Sequence, residues 1–226
     1  MKKFIAIIMA STIAMGVLGG CSLFMTTTDE SASSQAEDQE LLKNAADIQS
    51  MTEEQQDMVE PADAILRCMV ENNMDYDPHD PLFFWKSLYY FAGAYAQDYP
   101  ESKYDPQTGE LVLPRYTMRA LGSVISSEYT DLPAVPSEMS ANVVYNPDDD
   151  TYTLYTGDVG LAKTNITAYT DNGDGTFVIT VELRGADDDK LIATGDFTIA
   201  KNDYANDIID PPFIYTITAL DYKEGE

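Results

Sequence analysis

Phe177-Val178-Ile179-Thr180-Val181-Glu182-Leu183-Arg184, FVITVELR, sets Phe177, Ile179, Val181 and Leu183 against Val178, Thr180, Glu182 and Arg184. A period of two means a strand with one face in a core and the other half exposed. The next run repeats the pattern, with Leu191, Ala193, Phe197 and Ile199 alternating with Thr194, Asp196 and Thr198. Val143 to Tyr145, Tyr152 to Tyr155, Ile166 to Thr170 and Phe213 to Tyr222 read as further strands. The stretches NPDDD, DNGDG and GADDDK between them are turn sequences. From Ala141 onward the chain therefore predicts an antiparallel meander.

N-terminal to the meander the period lengthens to that of helices. Pro61 to Asn72 predicts one, with Pro61 at its start and a polar stop at Asn72-Asn73. Asp80-Pro81 supplies an N-cap and first-turn proline for a second, Leu82 to Asp98. In that helix Phe84, Leu88, Phe91 and Tyr95 share a stripe, and Phe83, Trp85, Tyr89, Tyr90 and Ala92 leave little polar face. Such a helix belongs in the middle of a domain. A short extended piece, Glu110 to Leu113, precedes a third helix from Arg115 to about Ser127. The expected fold class is α+β, with three N-terminal helices packed on a curved antiparallel sheet of about five to six strands. This order resembles the cone-shaped NTF2-like domains and, less closely, the cystatin-like ones. The resemblance rests on organisation, so it carries no active site with it.

Upstream of residue 59 the composition shifts. Between Ser22 and Met58 nine acidic residues face the single Lys43, and no aromatic follows Phe24. Such a segment buries too little apolar surface to offset its ordering, so 21–58 is expected to be a tether. If flexible, it spans roughly 30–35 Å. Local helix is expected at Glu40 to Gln49, and Thr52 to Gln55 has the pattern of a capping box.

The first twenty residues read as a secretory signal. Lys2 and Lys3 precede an apolar run, Phe4 to Leu18, broken only by Ser11, Thr12 and Gly16. The run falls short of the ~20 apolar residues that a spanning helix needs. It ends in Leu18-Gly19-Gly20-Cys21, which resembles the lipobox of bacterial lipoproteins. That resemblance implies cleavage between Gly20 and Cys21 and a diacylglyceryl group on the Cys21 sulfur. It further implies an extracytoplasmic, lipid-anchored protein, held firmly if a second acyl chain is added. The domain order is then signal 1–20, tether 21–58 and a single α+β domain 59–226.

The chain carries a formal charge of −26, and loss of Lys2 and Lys3 would make it more negative. Such a surface repels phosphate backbones, so nucleic acid is not an expected partner; an envelope protein or a small ligand is. With Cys21 lipidated, Cys68 has no intramolecular partner, and its neighbours Ile65 and Met69 predict a buried, inert thiol. His79, the only histidine, sits in Asp77-Pro78-His79-Asp80-Pro81, a linker rather than a triad setting. No G-x-S-x-G, H-E-x-x-H, phosphate loop or paired-cysteine spacing occurs.

Two candidate sites remain. Trp85, Tyr89, Tyr90 and Tyr95 either belong to the core or line a ligand pocket between helix and sheet. The turn carboxylates Asp148, Asp149, Asp150, Asp171 and Asp174, with Asp203, Asp207 and Asp210, would share one rim of a single meander. A Ca²⁺ ion or a basic partner would suit that rim. Asp171 to Gly175 alone fails as a calcium loop, because with Gly175 sixth the twelfth position falls on Val181. No cofactor is expected beyond the lipid. The functional expectation is a non-enzymatic binding or assembly module; the second reading is an enzyme with an Asp/Tyr site inside the cone.

Overall fold

The computed structural model describes residues 30–157, 162–207 and 212–225. The chain forms two units, Met1–Asp38 and Gln39–Glu226. Of the first, the helical backbone from Glu30 is described; it belongs to α1, Glu30–Gln49. The second holds all other elements. Its helices are α2 (Glu53–Gln56), α3 (Val59–Asn72), α4 (Pro81–Tyr95) and α5 (Arg115–Ile125). Its strands are β1 (Lys103–Asp105), β2 (Glu110–Pro114), β3 (Val143–Asn146), β4 (Thr151–Tyr155), β5 (Ala162–Asp171), β6 (Phe177–Gly185), β7 (Leu191–Lys201) and β8 (Tyr215–Glu224). Signal residues Gly20 and Cys21 lie outside the described residues, as does Asp210.

Local signals act where the sequence puts them. Thr52 and Gln55 form the reciprocal capping box of α2. Asp80 accepts from the Leu82 N–H at 2.9 Å and caps α4, with Pro81 in the first turn. Asn73 closes α3 in the left-handed conformation, φ 50°. Packing begins upstream of residue 59: Met51 and Met58 are both buried in the core. An acidic segment can join a core where two methionines a short helix apart fall on its inner side.

The fold is α+β, and it differs from the expected single sheet. Two four-stranded antiparallel sheets form, in the orders β1-β2-β4-β3 and β5-β6-β7-β8. The reason is the fate of Glu110–Pro114. Instead of standing apart, β2 pairs along the full length of β4, whose other side is taken by β3. With both edges of β4 filled, β5 cannot pair with the strand before it, and it opens a second sheet instead. The helices are also not all N-terminal to the strands, since β1 and β2 intervene between α4 and α5.

Helices α3, α4 and α5 form the layer on which both sheets pack. Alternation in β6 buries Phe177, Ile179, Val181 and Leu183, and β7 adds Ala193, Phe197 and Ile199. From the first sheet come Leu111, Leu113, Val143, Tyr152 and Leu154. Between them Phe83, Phe84, Trp85, Leu88 and Phe91 of α4 are fully or almost fully buried, as its nearly all-round apolar sequence requires. Register shifts at Ile166/Ala168, Leu183/Arg184 and Thr198/Ile199 bend the second sheet.

Helix α3 lies so close to this sheet that β7 has no side chain at the crossing. A Cβ on Gly195 would meet Phe197 Cε2 at 2.8 Å, Leu220 Cδ1 at 2.9 Å and Leu66 Cδ2 at 3.0 Å. Gly195→Ala is therefore expected to lower stability by about 1–3 kcal/mol through overpacking. Urea unfolding of the two proteins measures it.

Candidate functional site

Trp85, Tyr89, Tyr90 and Tyr95 of α4 do not converge on one pocket. Trp85 is fully buried and its indole N–H donates to the Pro133 carbonyl at 3.1 Å. The Tyr89 hydroxyl donates to the Tyr155 carbonyl, that of Tyr90 to Glu71 Oε2 and that of Tyr95 to Asp63 Oδ2, each at 2.6 Å. The tips therefore fasten α4 to the segment at Pro133, to β4 and, twice, to α3. The sequence shows the apolar character of these rings but not the partner of each hydroxyl.

The carboxylates do not gather at one rim either, because that expectation depended on a single meander. Asp148, Asp149 and Asp150 belong to the β3–β4 turn of the first sheet; Asp171 and Asp174 belong to the β5–β6 turn of the second. They act as turn formers. Asp150 accepts from the Tyr145 hydroxyl at 2.7 Å, and Asp149 from Asn146 Nδ2 at 3.1 Å. Asp171 accepts from the Gly173 N–H at 2.8 Å, and Asp174 from the Thr176 N–H at 2.9 Å. The Thr176 bonds hold the Asp174 carboxyl below its ordinary pKa. Asp203 opens a 3-10 turn, Asp203–Asp207, at the end of β7. Among the described residues no group of three or more His, Cys, Asp or Glu is arranged to hold a metal ion.

Cys68 is buried, and its burial pushes the thiol up to about 11, so little thiolate is present near neutral pH. The His79 side chain is 70% exposed, with Nδ1 3.3 Å from Glu128 Oε2.

Two arrangements were not legible as sites. The first is a buried polar cluster joining α3, α4 and β5. Asp63 is 2% exposed, and Arg67 Nε donates to its two oxygens at 2.8 and 2.9 Å. Tyr95 and the Thr164 hydroxyl donate to the same carboxylate. The Arg67 Nη2 group reaches the Ala162 carbonyl at 2.9 Å. Burial, with Asp63 beside it, pushes the Tyr95 phenol well above its ordinary range. The spacing of four between Asp63 and Arg67 inside an apolar face is the signal that could have found the pair; Thr164, 101 positions away, leaves none.

The second is an open cleft of about 420 Å³ between the extended segment 132–135 and strand β3. Leu132, Pro133, Val135, Val143, Tyr145 and Tyr152 line it. The Tyr152 ring stands 5.3 Å from Trp85 and 4.9 Å from Tyr145, so an aromatic row leads from the core to the cleft rim. Burial raises the Tyr152 phenol; the bond to Asp150 raises that of Tyr145. At the rim Arg115 Nη2 pairs with Asp131 Oδ2 at 2.6 Å, and Asp131 raises the guanidinium pKa further. Chemically this is a surface for apolar and aromatic contact and for backbone hydrogen bonding. Its volume falls in the range of binding sites, about 300–1,000 Å³.

No family model, curated protein or solved structure matches the chain.

Proposed function

We propose that the protein is a lipid-anchored, extracytoplasmic module that binds a ligand or assembles with an envelope protein through the cleft beside β3. The cleft carries this reading: it is apolar, aromatic, open and of binding-site size. Leu18-Gly19-Gly20-Cys21 supports the anchor, with a diacylglyceryl group on Cys21. The resemblance to NTF2-like and cystatin-like domains rests on the order of helices and meander alone. Where those cones have room for a ligand, Leu66, Phe197 and Leu220 stand close around Gly195. The Asp/Tyr pair that an enzymatic reading needs exists in Asp63 and Tyr95, but both Asp63 oxygens are engaged by Arg67 and its neighbours. We read that pair as a fastener.

Two measurements test the proposal. Mass spectrometry of the processed protein should find Cys21 first and lipidated; an unmodified chain in culture fluid overturns the anchor. A photo-crosslinking residue at Val144, 43% exposed beside the cleft, should give a discrete adduct in intact cells. The same residue at Tyr116, 58% exposed on α5, should not. Absence of an adduct at 144 overturns the binding role.

A further inference from the structure

Strand β8 is an edge of the second sheet, paired with β7 alone. Its first half is covered: Thr216 and Ile217 are buried, and the Thr216 hydroxyl reaches the Val124 carbonyl of α5 at 3.4 Å. From Thr218 onward the covering stops. Thr218, Ala219, Asp221, Lys223 and Glu224 are exposed, and Leu220 and Tyr222 are half-buried.

The Gly225 N–H donates to the Ile192 carbonyl at 2.8 Å, which sets the phase of the β7–β8 ladder. With Ala193 opposite Glu224 and Asp196 opposite Asp221, the residues that turn their backbone groups to β7 are Ala219, Asp221 and Lys223. The N–H and C=O groups of Leu220, Tyr222 and Glu224 point out from the sheet edge. None of these groups has a hydrogen-bond partner among the described residues.

An unpaired edge invites another strand unless it is blunted, and a lysine is a common blunting device. Here the lysine stands two residues from an aspartate. On the outer face the Asp221 and Lys223 side chains are 69% and 67% exposed, with Oδ2 and Nζ 3.5 Å apart. A second copy of the strand, added antiparallel about a two-fold axis, meets different groups in different registers. Centred on Asp221, it sets that carboxylate against its own copy; centred on Lys223, it sets two ammonium groups together. Registers centred nearer the start of β8 run into the part that α5 covers. Centred on Tyr222, it sets each Asp221 opposite Lys223 of the other copy, in the non-hydrogen-bonded pairs where side chains come closest. In that register the two Tyr222 residues exchange backbone hydrogen bonds, and Leu220 exchanges them with Glu224 of the other copy.

The remaining charges near this edge are all acidic. Asp196 lies beside Asp221 on β7 and accepts from the Thr180 hydroxyl at 2.6 Å; Asp75 shares a small cleft with Tyr222 and Glu224. Asp196 and Asp221 therefore share one lysine, and the Tyr222-centred register brings a second lysine to Asp221. Glu224 then stands opposite Leu220 rather than opposite a like charge. The chain's overall −26 opposes self-association, but at ~0.15 M salt the Debye length is ~8 Å, so repulsion is confined to charges close to the contact.

We propose that the exposed half of β8 is a self-association surface, on which a second copy of this chain pairs antiparallel about Tyr222 and joins the two β5–β8 sheets into one.

The test uses the full chain, co-expressed as two copies with different epitope tags, one captured through the other at ~0.15 M salt. The unaltered copies should co-purify. Asp221→Lys in both copies, or Lys223→Asp in both, should lower capture at least about fivefold, because both side-chain contacts become like-charged. Asp221→Lys in one copy with Lys223→Asp in the other makes both contacts opposite again and should recover capture, which a folding defect would not allow. Cysteines report the register. Asp221→Cys in one copy with Lys223→Cys in the other should form a disulfide on mild oxidation, since Cα atoms about 4.5 Å apart can be bridged. Asp221→Cys in both copies should not, the Cα separation there being about 8 Å. Four results would each overturn the proposal: no co-purification, capture that ignores the charge reversals, no recovery in the mixed pair, or a disulfide between two Asp221→Cys copies.

Discussion

Asp63→Ala is expected to cost about 3–5 kcal/mol of folding stability, a large share of what a domain of this size possesses. The carboxylate is almost completely buried, and the Arg67 side chain beside it is 11% exposed. Removing Asp63 takes a bidentate counter-charge from a mostly buried guanidinium, while Tyr95 and Thr164 lose this acceptor. The penalty is mainly that of stranded polar groups rather than of one lost attraction. Replacing both members of the pair, Asp63→Ala with Arg67→Met, should therefore recover part of the loss. Tyr95→Phe, which removes one donor to a charged acceptor, should cost about 1.5–3 kcal/mol. Urea unfolding followed by circular dichroism measures all three. A loss below about 1 kcal/mol for Asp63→Ala would show that the cluster does not hold α3, α4 and β5 together.

The second large effect is alkaline unfolding. Burial raises the phenols of Tyr76, Tyr95 and Tyr99, with Asp63 adding to it at Tyr95 and Glu60 at Tyr99; Tyr76 is pushed up to about 12. An unfolded tyrosine titrates near ~10. Below that pH both states hold the proton and stability is unaffected. Above it the unfolded chain releases protons that the native state retains, so each such group withdraws about 1.4 kcal/mol per pH unit until its folded pKa is reached. Three together withdraw about 4 kcal/mol per unit, enough to unfold a marginally stable domain within a few units. The urea midpoint should fall steeply from about pH 10 to pH 12. An unchanged midpoint between about pH 9 and pH 11 would contradict the burial of these rings.

What the sequence reveals here is what neighbours along the chain decide. The alternation of Phe177 to Arg184, the Asp80-Pro81 helix start and the Thr52–Gln55 cap all appear where expected, because each depends on residues within one turn or one pleat. The division into two sheets was not legible. It depends on whether Glu110–Pro114 stays alone or pairs with a strand on the far side of α5. A short β-prone run looks the same either way. The candidate sites failed to assemble for the same reason: the acidic rim needed one meander. The aromatic pocket needed the hydroxyls of Tyr89, Tyr90 and Tyr95 to point together, and their partners Tyr155, Glu71 and Asp63 lie on β4 and α3. The cleft beside β3 exists only once β4 has been enclosed by β2 and β3, so no local pattern announces it.

The two sheets also differ in what their assembly demands of the chain. Strands β5 to β8 pair in sequence order, so every ladder joins strands that follow one another in the chain, the longest connection being 202–214. The β2–β4 ladder instead joins Pro114 to Thr151 across a whole helix and the segment beyond it. Ring-closure entropy rises only with the logarithm of the enclosed length, so that connection tolerates insertions at small thermodynamic cost. Long-range pairing is nevertheless slow to find. The meander can zip up one hairpin at a time, whereas the sheet that carries the β3 edge must wait for α5 to bring its halves together.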